Sequence, residues 1–164
     1  MFDCYLKIGS PDVKGESTDK SHTGEIQVEG FSLGASNPST ISSGTSGSST
    51  GKVNMSTLTI NKRTDKSSAI LFQACCSGEH YGTAKLTVRK SGKTPLEYLI
   101  YTFTEVFVNS VQWNGTTGEK EDSPLEEVQF SFASVHVKYV PQKPDGSGDS
   151  PIEGGWDVQT NTTK

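Results

Sequence analysis

The stretch Leu96 to Trp113, LEYLIYTFTEVFVNSVQW, carries apolar side chains on both alternation phases. Tyr101, Phe103 and Phe107 fall on one phase; Tyr98, Ile100, Val106 and Val108 fall on the other. Successive side chains of a strand point to opposite sides, so a strand of this kind must be covered on both. Glu126 to Val140 shifts in the same way, from Val128, Phe130 and Phe132 to Val135, Val137 and Tyr139. Strands that change their apolar face turn the corner of a barrel or sandwich, or meet a second partner outside their own core. The expected fold is therefore mainly β, an antiparallel β-barrel or two-sheet sandwich.

The remaining segments fit that frame. Phe2 to Ile8 alternates and stops at Gly9-Ser10-Pro11, a turn signal. Glu25 to Leu33 places Ile26 and Val28 on one face and Glu25, Gln27 and Glu29 on the other. Its phase slips at Gly30, which predicts a bulge and keeps Ser32 on the polar face with Gln27 and Glu29. Lys52 to Arg63 and Thr83 to Lys90 read as further strands. One short helix is expected over about residues 67–77. Asp65-Lys66-Ser67-Ser68 offers caps, Ile70, Leu71, Ala74 and Cys75 fall at helical spacing, and Gly78 stands where a C-terminal glycine belongs. Such a helix is too short to be stable alone and must dock on the sheet, with Cys75 and Cys76 as its small core-side residues. Ser36 to Gly51 is a long, extended, Ser/Gly/Thr-rich loop between strands, and Pro141 to Gly155 is likewise without pattern.

At 164 residues a single domain over 1–164 is expected, yet only 31% of the residues are hydrophobic. That implies a modest core and surfaces left for partners. The net charge of −4, with no Lys/Arg cluster, argues against nucleic-acid binding. The N-terminus lacks the basic and then apolar regions of a signal peptide, and no apolar run approaches the roughly 20 residues of a membrane span. Three cysteines, two of them adjacent, suit reduced thiols better than a disulfide framework.

The segment GESTDKSH, Gly15 to His22, concentrates residues that could do chemistry. Ser17, Asp19 and His22 are the residue types of a hydrolytic triad, but triads assemble in space, and none of these sits in a G-x-S-x-G elbow. Gly51-Lys52 fails as a phosphate loop, because Ser46 stands where a glycine is needed and Val53 follows the lysine. His80 and His136 lack ligands at metal-binding spacing, and Asp145 to Asp149 lacks the rest of a calcium loop. No catalytic residue, metal or cofactor is expected, and the segment reads as a polar loop.

As ordered landmarks, these segments resemble the haemolysin-coregulated proteins of bacterial type VI secretion systems. The resemblance begins with Lys7-Ile8-Gly9, Val13-Lys14-Gly15-Glu16-Ser17, Asp19-Lys20, His22 and Glu25-Ile26. It continues through Gly51-Lys52-Val53, Asp65-Lys66-Ser67, Ser77-Gly78 and His80-Tyr81. Ala84 to Lys90, Glu97-Tyr98, Glu105-Val106, Pro141-Gln142-Lys143 and Gly155-Trp156 complete it. It implies a subunit that forms homohexameric rings, stacked into a tube inside a contractile sheath, with a spike protein at the tip and effector proteins in the lumen. It also implies assembly in the cytoplasm and secretion without a signal peptide. Combined with the alternation pattern, it points to Gln27, Glu29, Ser32 and Thr116 as lumen-facing candidates. Gly15, Glu16, Ser17, Asp19 and His22, with Ile41, Ser43 and Gly44 of the long loop, are the candidates for contacts between subunits or rings. The alternative is a free-standing secreted β-protein with enzymatic or ligand-binding activity through His22 or His80.

Overall fold

A computed structural model describes residues 1–40, 49–92, 95–117 and 122–164. In chain order its elements are Phe2–Gly9 (β1), Ile26–Val28 (β2), Gly30–Ser32 (β3), Ala35–Ser36 (β4), Ser39–Thr40 (β5), Ser49–Thr50 (β6) and Asn54–Met55 (β7). Leu58–Arg63 (β8), Ser68–Ser77 (α1), His80–Lys90 (β9), Leu96–Asn114 (β10), Leu125–Tyr139 (β11), Ile152–Asp157 (β12) and Thr162–Thr163 (β13) follow. The main sheet runs β2-β1-β9-β10-β11-β12-β13, every pairing antiparallel. β8 pairs with β3 on one side and with the first half of β11 on the other.

β11 is the corner piece. Leu125 to Phe130 pair outward with β8, and Ser134 to Tyr139 pair outward with β12. The buried face of the strand changes between these halves, from Glu126, Val128 and Phe130 to Ala133 and Val135. Its neighbour β10 changes at the same level, from Phe103 to Val106 and Val108, with Val106 opposite Phe132. A regular extended backbone cannot put residues 103 and 106 on one face. Glu105, at φ 50°, supplies the irregular residue that does. The pairings do not close into a barrel, and a two-layer sandwich describes them.

Leu6, Ile8, Ile26, Leu58, Ile60, Leu86, Phe103, Val128 and Phe130 fill the space between the layers. The helix docks through Leu71 and Ala74. It starts one residue later than expected: Ser67 makes no side-chain cap, and the Asp65 carboxylate instead accepts the Ser67 backbone N–H at 2.9 Å. Gly78 ends it in the left-handed conformation, φ 72°, donating its N–H to the Ala74 carbonyl. Cys75 is half-buried and Cys76 is exposed, so only the first approaches the core-side role read for both. The buried face is set by Ser68, Leu71 and Ala74, and Cys76 falls outside that stripe.

Three other expectations are revised. Gly30 is not a bulge within one strand; the chain there leaves its pairing with β1 and takes up pairing with β8. The described ends of the long loop are not patternless. Ala35 and Ser36 pair with Met55 and Asn54, and Ser39 and Thr40 with Thr50 and Ser49, a ladder that needs no apolar side chains. The C-terminal tail contributes β12, which places Trp156 opposite Val135 and Ile152 opposite Tyr139.

Candidate functional site

The 10–25 segment is a loop between β1 and β2, and it is tied down from within. Gly15 N–H donates to the Gly24 carbonyl at 2.8 Å, Ser17 N–H to Glu25 at 3.1 Å, and Gly24 N–H to Ser17 at 2.8 Å. Gly15 is a glycine for a steric reason: a Cβ there would lie 2.4 Å from the Glu25 carbonyl oxygen. Gly15, Ser17 and His22 are buried within this chain, Asp19 is half-buried, and Glu16 is exposed. Ile41, Ser43 and Gly44 lie outside the described residues.

The three triad residue types are not brought together. The Asp19 carboxylate takes both Arg89 Nη1 (3.0 Å) and Nη2 (2.7 Å), and that hydrogen bonding is the main reason its carboxyl is held down to about 2. Arg89 Nη2 also donates to Asp3 and to the Tyr5 hydroxyl, each at 3.1 Å. The bond to Asp19 leads the causes that push the guanidinium further up from its ordinary value. The ring of His22 stacks on Tyr5, with Nδ1 2.8 Å from Glu25 Oε2 and Nε2 3.2 Å from Glu97 Oε1. The Ser17 hydroxyl accepts the Asp19 backbone N–H at 3.3 Å.

A second polar cluster escaped the sequence reading. Lys62 and Glu126 face each other across β8 and β11, both fully buried, with Nζ 2.7 Å from Oε1. Lys62 Nζ also lies 2.9 Å from Asp65, 3.0 Å from the Ser68 hydroxyl and 3.0 Å from the Arg63 carbonyl. A lysine beside a serine is a catalytic residue pair in some hydrolases. Here the lysine lies between two carboxylates and is sealed from solvent, so it staples the first turn of α1 to the sheet. The signal was phase: Lys62 has the parity of Leu58 and Ile60, and Glu126 that of Val128 and Phe130.

The lumen candidates Gln27, Glu29, Ser32 and Thr116 are all exposed. Gln27 and Glu29 share a polar cleft of about 370 Å³ with Glu16, Arg63 and Asp65, and Arg63 Nε donates to Glu29 at 2.9 Å. Thr116 belongs to the adjoining cleft with Asn114 and Asp122, while Ser32 lies on β3 opposite Thr59 and lines neither cleft. Apolar side chains stand outward in several places. Phe72 packs against Trp113 with ring centroids 5.5 Å apart, Phe107 lies on His80, and Tyr139 sits beside Ile152. A recess of about 300 Å³ is lined by Leu33, Met55, Tyr101, Val137 and Trp156, and the buried Trp156 Nε1 has no hydrogen-bond partner among the described residues.

Fold and surface together define a small β-sandwich with an internally tied polar loop and uncovered aromatic side chains. The sequence matches the family model for the type VI secretion system effector Hcp over residues 5–139. Protein hcp1 of Pseudomonas aeruginosa is 47% identical over 161 residues, 97% of this chain and 96% of that one. A solved structure of a type six secretion system protein superposes with a TM-score of 0.93 at 39% identity over the whole of both chains. The crystal structure of Hcp1 from Salmonella typhimurium gives 0.80 at 34% identity over 99% of each. The chain belongs to the Hcp family of type VI secretion proteins. Among the described residues, no helix is long and apolar enough to cross a membrane.

Proposed function

We propose that this chain is a structural, non-enzymatic tube subunit, with residues 1–164 acting as one domain that assembles into homohexameric rings. The observation that carries the reading is the set of large apolar side chains left uncovered on the lone subunit: Ile70, Phe72, Phe107, Trp113, Tyr139 and Ile152. Unlike patches at separated places on one chain join head to tail, and such contacts close into a ring when the rotation permits. Stacked rings then form the tube, the 10–25 loop and the long β4–β7 arm serve ring-to-ring contact, and Gln27, Glu29, Ser32 and Thr116 face effector proteins in the lumen. Sheath and spike proteins are the remaining partners, and the subunit leaves the cytoplasm with the tube. Negative-stain microscopy of the purified protein tests this: six-fold rings are expected, and uniform monomers at high micromolar concentration would overturn it.

A further inference from the structure

We propose that the far corner of the main sheet is a socket for α1 of a second copy, so that each subunit finishes its core with its neighbour's helix. The face of β10, β11 and β12 that carries the core continues past the layer that covers it. Phe103, Val135 and Trp156 stand side by side on that face, and the first two are buried. One row further out, Tyr101 and Val137 are half-buried and Gly154 is exposed. In the next row Leu99 is half-buried, while Tyr139 and Ile152 are 44% and 66% exposed. The opposite layer reaches this region through Phe31, edge-on to Tyr101 at 5.8 Å, and through Leu33 and Met55, which line the recess of about 300 Å³. β4 and β7, which adjoin them, form a separate two-stranded sheet. The apolar face thus outruns its cover. Trp156, at the recess, has its buried Nε1 without an acceptor among the described residues.

What finishes such a face is an apolar element that brings a hydrogen-bond acceptor for the indole N–H. α1 is an element of that kind. Its ten residues, SAILFQACCS, include no charged side chain, although a helix that faces solvent ordinarily turns charged and polar residues outward. Leu71 and Ala74 hold it to its own subunit. Ile70 and Phe72 stand exposed beside Gln73, whose side-chain oxygen is an acceptor. Within one chain the two surfaces cannot meet. Phe72 packs on Trp113, and Trp113 and Tyr101 lie on opposite halves of β10, up to about 40 Å apart at about 3.3 Å per residue. A protruding patch at one end of a strand and a recess at the other make a head-to-tail contact, not an isologous one. The pairing of these two patches rests on the ring reading above and assigns its interface.

The native Cys76, exposed one turn beyond Phe72 on α1, is a chemical probe already in place. Ile152→Cys is treated with a short bismaleimide in the intact protein, with wild type and Ile152→Cys/Cys76→Ser as controls. A ladder of covalently joined subunits, up to the full ring, is expected only in Ile152→Cys. Ile152→Asp, at a position already exposed in the lone subunit, should keep the circular dichroism spectrum of wild type. It should raise the concentration needed for assembly, read by sedimentation velocity, about tenfold or more, the effect of losing one isoleucine's burial. Rings that form without a Cys76-dependent ladder would overturn the socket and leave the ring reading standing. So would a cross-linked dimer with no higher rungs, or Ile152→Asp rings that assemble at the wild-type concentration. A protein that stays monomeric at high micromolar concentration would overturn both.

Discussion

Lys62→Met is expected to destabilise the subunit more than Glu126→Gln, although the two residues are direct partners. Removing the ammonium leaves Glu126, at 0% exposure, with the Ser68 and Thr64 hydroxyls as its side-chain donors among the described residues, and takes from Asp65 the ammonium 2.9 Å away. Stripping one member from a buried pair costs about 3–5 kcal/mol. Glu126→Gln removes less, because Lys62 keeps Asp65, the Ser68 hydroxyl and the Arg63 carbonyl. Its cost should be near that of one hydrogen bond to a charged group, about 1.5–3 kcal/mol. For a chain of this size 1 kcal/mol moves the midpoint by about 2–4 °C, so Lys62→Met should melt on the order of 10 °C below wild type. The double variant Lys62→Met/Glu126→Leu should recover most of the loss, since an apolar pair of similar volume replaces a buried ion pair at little cost. Thermal unfolding followed by circular dichroism, all variants at one protein concentration, measures the cycle; fixed concentration matters because assembly adds to apparent stability. Equal losses in the two single variants, or losses additive in the double, would refute the staple as drawn.

Gly15→Ala should cost at least about 1–3 kcal/mol, because its Cβ meets backbone at 2.4 Å, whereas Gly24→Ala meets nothing closer than 3.8 Å and should cost only about 1 kcal/mol for its φ of 74°; urea unfolding separates them. Acid unfolding carries an Asp19 signature. Its carboxyl lies at about 2 in the fold against 3.8 ordinarily, so its contribution is present above about pH 4 and is lost as pH falls toward 2. Asp19→Asn should flatten that part of the curve, and an unchanged curve would discount the Arg89 pair. Ser32→Gln should reduce effector co-purification while rings persist by microscopy; unchanged effector recovery removes Ser32 from the lumen contacts. Replacing residues 39–50 with an Asn-Gly turn should leave the subunit folded, since Pro38 and Gly51 are already joined by a 2.9 Å hydrogen bond, but should abolish sedimentable tubes.

The parts of the fold that alternation encodes were legible in advance. The two-faced patterns of Leu96 to Trp113 and Glu126 to Val140 announced the corner that β10 and β11 turn, because a change of buried face leaves its mark in the phase of the apolar residues. Gly78 marked the end of α1 because glycine takes the left-handed conformation found there, φ 72°, without a Cβ penalty. Elements whose sequence does not alternate left little such mark: the ladder of Ser39 with Thr50 joins a Ser/Gly/Thr-rich stretch, and β12 was visible only at Trp156. The polar clusters were harder still. Lys62 and Glu126 are 64 residues apart, and Asp19 and Arg89 are 70 apart. No local spacing pairs them, and the Asp19 and His22 side chains of GESTDKSH turn to Arg89, Glu25 and Glu97 rather than to each other.

The shared strands also bear on how the chain comes apart. In many sandwiches each layer owns its strands, and one layer can fray while the other holds. Here β10 and β11 run on through the Glu105 bend, paired with each other from Leu99–Tyr139 to Asn114–Leu125 with one shift of register between Val108 and Ser110. Peeling either end strips packing from both layers at once, so partial opening has no natural seam. The amides around Thr102 to Val108 should exchange only when the whole subunit unfolds, in one cooperative step. Reaching that state is slow by the same token, since the pairing of β1 with β9 joins Phe2 to Lys90 and must wait for the intervening chain to find its place.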